Sequence, residues 1–264
     1  MSAVLASKKS GWGNSLAGVA LIAAFTVGCQ GASGSPVGAG TELAARDENG
    51  QPVTLRVDSV EKDQTDPDGD IFLYDVSYKD PSNGEWKKFC FPDKEGRTVA
   101  IPLAGYWDST KSYVAEEGVF TFACMKSPLA KCVRWGYKPW KTVNGVSLRD
   151  YHLACVRMTR ADYCGDGKHH TREGTAIEIY DNLDHLKRQE RPDLLFEAAW
   201  SPNGAVYLNK PRYGEGPSSL VEECPDRLRD RTSITDPGLD KAAIMKRWPE
   251  AILFNDSKLI REPF

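Results

Sequence analysis

The chain has 264 residues, of which 41% are hydrophobic and 27% charged, and its formal net charge is −3. This length is enough for one or two domains with a hydrophobic core, and the lack of a basic surplus argues against nucleic acid as a partner. Seven cysteines are present, an odd number that cannot pair completely in disulfides within one chain.

Residues 1 to 28 have the pattern of an export signal. A short basic segment precedes an apolar run from Leu16 to Val27, too short for the roughly 20 residues of a membrane-spanning helix. The letters FTVGC resemble the lipobox of bacterial lipoproteins, in which the cysteine is diacylated and becomes the new N-terminus, although Thr26 stands where Leu is usual. We predict a signal peptide over 1–28 and lipidation of Cys29. The alternative is an ordinary cleaved signal that leaves Cys29 as a thiol.

Lipidation of Cys29 would leave six cysteines, an even number that can pair completely. Export would place them in an oxidising compartment, where disulfides form and persist. Several pairings are open to six cysteines. We predict three disulfides among Cys90, Cys124, Cys132, Cys155, Cys164 and Cys224.

A Gly/Ser-rich stretch follows the lipobox, and residues 29–52 are predicted to form a flexible tether of roughly 25 Å by random-coil scaling. Gln30 stands where an aspartate typically retains a lipoprotein in the inner membrane, so we predict an outer-membrane anchor facing the periplasm or the cell surface. The membrane, reached through the lipid, is the first predicted partner. Loss of residues 1–28, with their two lysines, changes the net charge from −3 to −5. Residues 53–264 are the predicted globular region.

The first half of this region has the alternation of β-strands. Strands are predicted in VTLRVDSV, IFLYDVSY, WKKFCF, RTVAIPL and GVFTFAC, with turns at DPDGD and DPSNG. Pro102 indicates a strand end or an edge, because proline cannot donate to a ladder.

Two helices are predicted in the middle of the chain. The first has Ser127 as N-cap, proline in the first turn and Gly136 after its end. The second runs through SLRDYHLACVRMTRADYCG, with Ser147 and Asp150 as a capping box and Gly165 as the C-cap.

Strands are predicted again in GTAIEIY, LLFEAAW and AVYLN, the last two joined by an SPNG hairpin, and the tail holds a helix over 241–248 and the apolar stretch AILF. The predicted fold class is α+β. It is a β-rich, disulfide-crosslinked domain with a short helix pair in the middle.

The stretch RADYCGDGKHH, at the end of the second helix, concentrates acids and histidines. Asp162, Asp166, His169 and His170 are the candidate residues of a cell-envelope hydrolase. A Cys164 nucleophile is disfavoured, because catalysis needs a thiolate and this cysteine is predicted to be in a disulfide. A carboxylate in the last helical turn is unfavourable, so Asp162 needs compensation. We expect the carboxylate either to accept hydrogen bonds from backbone N–H groups of residues 165–167 or to form a buried pair with an arginine such as Arg134 or Arg172.

Two groups of residues have the types and spacing of possible metal ligands, and each also has a structural interpretation. His152, Cys155, Cys164 and His169 could ligate zinc, but about 13 Å of helix would separate the two pairs. The same distance prevents a 155–164 disulfide, and Cys132 and Cys124 are the nearest other partners in sequence. DQTDPDGD could suggest calcium through Asp66, Asp68 and Asp70, but it departs from the EF-hand pattern, and a solvated turn is preferred. No metal or cofactor is predicted.

The letters RWGYKPWK place Trp135, Tyr137 and Trp140 among cations, an arrangement that could stack on sugar rings. Packing of these aromatic rings in the core is the preferred interpretation. They are nevertheless kept as candidates for binding envelope polysaccharide.

The runs KCVRWGYKPW, ACVRMTRADYCGDG and FEAAWSPNGAVY resemble the ADYC domain, whose name matches Ala161, Asp162, Tyr163 and Cys164. The resemblance covers about 88–226 and implies an exported protein of the kind found in myxobacteria and their relatives. It implies no activity, ligand or catalytic residue. We predict a non-enzymatic module that binds an envelope polysaccharide or protein or has a structural role; the alternative is the hydrolase.

Overall fold

The computed structural model describes residues 22–24, 37–47, 50–108, 110–189, 191–213, 217–232 and 239–258. The predicted lipidation site Cys29, with most of the predicted signal peptide and part of the tether, lies outside these ranges. Within them, no helix has the length and apolar character needed to cross a membrane.

The described part of the chain is rich in strands and has short helices. The strands are β1 (Ile22–Ala24), β2 (Glu42–Arg46), β3 (Pro52–Lys62), β4 (Phe72–Lys79), β5 (Trp86–Lys88), β6 (Val99–Ala104), β7 (Tyr106–Trp107), β8 (Tyr113–Val114), β9 (Val119–Cys124), β10 (Thr142–Val143), β11 (Val146–Ser147), β12 (Ile177–Asp181), β13 (Leu195–Ser201), β14 (Gly204–Leu208) and β15 (Leu253–Ser257). The helices are α1 (Pro128–Arg134), α2 (Arg149–Arg160), α3 (Pro217–Glu223), α4 (Pro225–Leu228) and α5 (Lys241–Arg247).

The first sheet closes on itself as a ring of six strands. Its order is β3-β2-β1-β9-β6-β4-β5, and β3 also pairs with β4, so that β5 alone stands outside the ring. Side chains that alternate along these strands fill its interior. The buried apolar residues of this core include Leu43, Leu55, Val57, Tyr74, Val76 and Phe122.

Pro102 lies inside β6, opposite Phe122 of β9. On its other side β6 pairs with β4 only through Val99 and Ala100. Pro102 therefore lies where the ladder is one-sided, and the missing N–H is tolerated there.

Helix α2 packs against a second sheet and against α1, and α1 in turn contacts β9 of the ring. The shared core contains Leu73 and Ile101 from the ring, Met158 from α2, and Trp200 and Leu253 from the second sheet. The second sheet has the order β12-β15-β13-β14. The predicted α+β class, with a helix pair in the middle, is confirmed.

The short helix α1 begins and ends where the sequence predicts. Ser127 Oγ accepts from Ala130 N at 3.3 Å, Pro128 is the first helical residue, and Gly136 follows the helix with a φ of 105°. A local signal was sufficient here, because each of these residues affects only the helical turn next to it.

Helix α2 is shorter than predicted at both ends. Ser147 belongs to the β10–β11 hairpin, where its Oγ accepts from Arg149 N, and the N-cap is Leu148 without a side-chain bond. The C-cap is Ala161 and not Gly165, because the left-handed turn closes with Asp162 N donating to the carbonyl of residue 157.

The apolar stretch AILF leads into a strand, β15, that its sequence pattern does not predict. β15 lies between β12 and β13 and pairs with both. A central strand is buried on both faces, so its apolar residues do not alternate with polar ones in the usual way. The SPNG hairpin is confirmed by the pairing of Ser201 with Gly204.

Two strands of the ring lie in segments for which no fold is predicted. β2 lies inside the predicted tether, and it is folded because Leu43 and Ala45 point into the core while Glu42, Ala44 and Arg46 remain exposed. β1 lies inside the predicted signal peptide, between β2 and β9. The ring therefore extends further toward the N-terminus than the predicted globular region.

Candidate functional site

The segment RADYCGDGKHH leaves α2 and crosses the hairpin of β13 and β14. Ala161 turns the chain with left-handed backbone angles (φ 51°, ψ 43°). Tyr163 O then accepts from Ala205 N at 3.0 Å. Gly165 approaches the hairpin so closely that a Cβ atom there would lie 1.9 Å from Asn203 O. The segment is therefore packed directly against the hairpin backbone.

Asp162 is fully buried, and its carboxylate is bound by two donors. Oδ2 accepts from Arg157 Nη1 at 2.5 Å and from Gly167 N at 3.1 Å. The expected backbone donor from the CGDG turn is confirmed. The expected buried pair with an arginine is also found, but the arginine is Arg157 and not Arg134 or Arg172, because the left-handed turn folds Asp162 back onto its own helix.

Arg157 uses its guanidinium to join three parts of the fold. It donates to Thr110 O at 2.7 Å and to Ser112 Oγ at 2.9 Å, in the loop between β7 and β8. It also donates to Pro202 O at 3.3 Å, in the β13–β14 hairpin. The pair of Arg157 and Asp162 thus links α2, this loop and the hairpin.

Tyr163 belongs to a second buried network, on the other side of the segment. Its hydroxyl donates to Glu197 Oε1 at 3.0 Å and accepts from Arg212 N at 2.9 Å. Arg212 binds both oxygens of Glu197, at 2.9 Å each, and donates to Met158 O and Thr171 Oγ1. The arginine therefore ties the end of α2 to β13.

The protonation states of this network follow from its contacts. Burial would raise the pKa of Glu197, but the charge of Arg212 and its hydrogen bonds hold that pKa below its usual value. Burial beside this carboxylate raises the pKa of Tyr163 well above its usual value. Glu197 is thus an anion bound to a cation, and Tyr163 remains a neutral donor at physiological pH.

The six cysteines after Cys29 form three disulfides, as predicted. Cys155 pairs with Cys132, joining α1 to α2, and Cys164 pairs with Cys224, between α3 and α4. The third pair is Cys90 and Cys124. A disulfide sulfur is neither a nucleophile nor a zinc ligand, so this structure gives Cys155 and Cys164 no part in either chemistry.

His152, the first member of the zinc alternative, is a core residue. It is fully buried, and its Nε2 lies 3.0 Å from Leu129 O. Burial lowers the pKa of His152 to about 4, so the ring is neutral at physiological pH.

His170 is half-buried between the end of α2 and α3. Its Nδ1 is 3.1 Å from Ala161 O, and its Nε2 is 3.1 Å from Glu223 Oε2. Glu223 also accepts from Lys168 Nζ at 2.7 Å. This contact holds the loop after the helix against α3, beside the Cys164–Cys224 disulfide.

The four hydrolase candidates have different surroundings. Asp162 is buried in its pair with Arg157, and His170 contacts Glu223. Asp166 and His169 are exposed, and Asp166 accepts from the backbone of its own turn. General acid–base catalysis requires such groups around one reacting atom, and the described contacts do not bring these four together.

The acidic turn of the calcium alternative encloses a lysine. Lys138 Nζ lies 2.6 Å from Asp66, 2.8 Å from Asp68 and 2.6 Å from Asp70. Burial opposes the charge of Lys138, but these hydrogen bonds raise its pKa above the usual value. The preferred prediction of a turn is confirmed by the bond from Gly69 N to Asp66 O, and Asp68 is exposed to solvent. The sequence did not predict the ammonium group that lies between the three carboxylates.

The aromatic side chains beside Lys138 are also engaged in the fold. Tyr137 is fully buried and donates to Asp181 Oδ2 at 2.9 Å, and Trp140 Nε1 donates to Asp70 at 2.8 Å. Trp135 is half-buried against the helical core. Tyr137 has no surface to offer a sugar, and sugar binding by the two tryptophans stays a prediction.

Comparison with protein families identifies the domain that these contacts build. The model of the ADYC domain matches residues 38–214, from the turn before β2 to the residues just after Arg212. The match begins earlier and ends earlier than the predicted 88–226, so it includes most of the ring and leaves out α3 with Cys224. Comparison with curated proteins and with solved structures gave no significant match. Because the family model covers more than half of the chain, the chain belongs to the ADYC domain family.

Proposed function

We propose that this ADYC-domain chain is exported and anchored by a lipid on Cys29, and that it is a non-enzymatic binding or structural module of the cell envelope. The observation that carries the proposal is the pairing of the cysteines. All six after Cys29 are in disulfides, which persist in oxidising compartments. The seventh ends the lipobox-like FTVGC sequence.

The contacts of the ADYC segment support the non-enzymatic part of this proposal. Ala161 turns the chain, Asp162 binds Arg157, Tyr163 binds Glu197, and Cys164 is in a disulfide. The side chains of Asp162, Tyr163 and Cys164 thus each have a partner inside the fold. The hydrolase alternative would need Asp166, His169 or His170 to act without the other candidate residues around the same reacting atom.

The proposed location is the outer membrane, with the domain facing the periplasm or the cell surface. Gln30 and the short apolar run support this location. Envelope polysaccharide and envelope proteins are the proposed partners, and Trp135 and Trp140 are the candidate contacts for a sugar. A net charge of −5 after processing makes nucleic acid an unsuitable partner.

Metabolic labelling with a fatty acid tests the lipid anchor. The full chain, expressed in a Gram-negative host, should incorporate the label and fractionate with membranes. Cys29→Ser should not be labelled, whereas Cys224→Ser, which removes a cysteine that is in a disulfide, should be labelled like the wild type. Equal labelling of the wild type and Cys29→Ser would refute the anchor.

The choice between binding and hydrolysis needs a separate experiment on the purified chain. With isolated envelope polysaccharide we expect co-sedimentation that weakens in Trp135→Ala/Trp140→Ala, and no release of soluble fragments. Fragment release that disappears in Asp166→Asn/His169→Gln would instead establish the hydrolase. Loss of sedimentation in the tryptophan variant is informative only if its melting temperature is unchanged, so that temperature is measured in parallel.

A further inference from the structure

Strand β1 completes the ring of the first sheet. Ile22 is opposite Arg46 of β2 and Thr121 of β9, and Ala23 is opposite Ala45 and Phe120. Both neighbours run antiparallel to β1. β2 and β9 do not pair with each other, so the three residues of β1 close the ring.

The same residues belong to the segment that processing before Cys29 would remove, and the inference below rests on that part of the proposed function. Adjacent strands are about 4.8 Å apart. Without β1, β2 and β9 would face each other across about 10 Å, too far for a backbone hydrogen bond and wide enough for one strand.

Both edges of this gap are held in place by the rest of the fold. β9 is paired with β6 from Cys124 to Phe120, and the Cys90–Cys124 disulfide fixes its end. β2 is paired with β3 over its whole length, from Glu42 to Arg46. Closing the gap would require moving one edge by about 5 Å against these contacts.

We infer that the processed protein binds an extended segment of a partner polypeptide between β2 and β9, as an added strand. Main-chain hydrogen bonds to two edges at once provide affinity with little dependence on sequence. The segment that fills this position in the unprocessed chain, IAA, carries no charge, and we take the partner segment to be uncharged as well. Two open edges without such a partner would be a template for aggregation.

The chain's own N-terminus is a poor substitute for this partner. Residues 29–36 remain ahead of Val37 after processing, and their sequence is CQGASGSP. Glycine, serine and proline have low strand propensity, and proline cannot donate to either edge. A second copy would present the same two edges and no additional strand.

A peptide-binding experiment on the processed chain tests the inference. Residues 29–264, with Cys29→Ala so that no lipid is attached, are titrated with a labelled peptide of residues 16–27 carrying terminal lysines for solubility. The control is the same peptide with Ala23→Pro, which lacks the central N–H. We expect saturable 1:1 binding, at least tenfold weaker binding of the proline peptide, and slowed amide exchange in β2 and β9 only when the peptide is bound.

Three results would overturn the added-strand site. The first is that both peptides bind equally well or that neither binds. The others are slowed amide exchange in β2 and β9 without peptide, and slowed exchange that depends on a concentration-dependent dimer. The N-terminus of the chain recovered from cells separates this failure from that of the proposed function. A chain beginning at Cys29 that binds no peptide refutes only the added-strand site. A chain that still contains residues 22–24 refutes processing, and the site with it.

Discussion

Asp162 and Arg157 form an ion pair of 2.5 Å between side chains that are 0% and 3% exposed. The two residues are five apart in sequence, and the left-handed turn at Ala161 brings them together. A buried pair of this kind is costly to disrupt, because the remaining charge is left buried without a counterion. The fold thus supplies the counterion of Asp162 through Oδ2, while Oδ1 is buried without a hydrogen-bond partner.

Replacement of Asp162 by Asn should destabilise the protein strongly. The change leaves the Arg157 guanidinium buried without its anion, which costs about 3–5 kcal/mol of unfolding free energy. Thermal or denaturant unfolding measures the loss. Asp166→Asn is the matched control, since Asp166 is exposed in the same loop, and its stability should equal that of the wild type. Equal stability of both variants would show that the ion pair contributes nothing.

His152 should make the protein sensitive to mild acid. The folded state lowers the pKa of His152 from 6.5 to about 4, so unfolding between these values takes up a proton. The unfolding free energy therefore falls by about 1.4 kcal/mol per pH unit as pH drops through this window, roughly 3 kcal/mol in all. Above pH 6.5 this residue contributes no pH dependence.

Denaturant titrations between pH 4 and pH 7 measure this slope. His152→Gln should flatten it, whereas the exposed His169→Gln should leave it as in the wild type. If the slope in His152→Gln equalled that of the wild type, another group would have to account for the acid sensitivity.

Lys138 should determine whether the acidic turn responds to calcium. In the wild type its ammonium group occupies the centre of Asp66, Asp68 and Asp70, so millimolar calcium should leave the melting temperature unchanged. Lys138→Met should lower the melting temperature by roughly 5 °C through carboxylate repulsion. Calcium should then restore part of the loss, because the carboxylate oxygens lie within 4.8 Å of one another. A saturable calcium shift in the wild type would contradict this arrangement.

The Cys164–Cys224 disulfide should stabilise the fold by restricting the unfolded chain. The two cysteines are 60 residues apart, and the loop-entropy relation gives about 4 kcal/mol for such a crosslink. The double variant Cys164→Ser/Cys224→Ser should lose about this much in denaturant unfolding. Amide exchange in α3 and α4 should also accelerate, since this crosslink attaches them to the ADYC segment. Unchanged exchange there would mean that other contacts hold these helices.

Local sequence signals predicted local structure well. Ser127 and Gly136 bound α1, and SPNG forms the hairpin, because capping and turn preferences act within a few residues. The end of α2 was not predicted, because it depends on contacts with residues that are distant in sequence. Alanine is a good helix former, and only packing against the hairpin explains its left-handed conformation at position 161.

The candidate site was predictable only in part, since its partners are distant in sequence. Cysteine parity indicated complete pairing, but it could not select Cys224 as the partner of Cys164. The letters LLFEAAW contain a charge within an apolar strand, a sign of a buried acid at Glu197, yet nothing local identifies Arg212. Lys138 likewise lies about 70 residues from the turn it fills.

The intact mass of the chain recovered from the membrane fraction, measured before and after reduction, tests most directly whether this protein is an exported, disulfide-crosslinked lipoprotein. We expect a chain that begins at a lipid-modified Cys29 and gains six hydrogens on reduction, two for each disulfide. A chain that retains residues 1–28, or that has free thiols before reduction, would contradict that assignment.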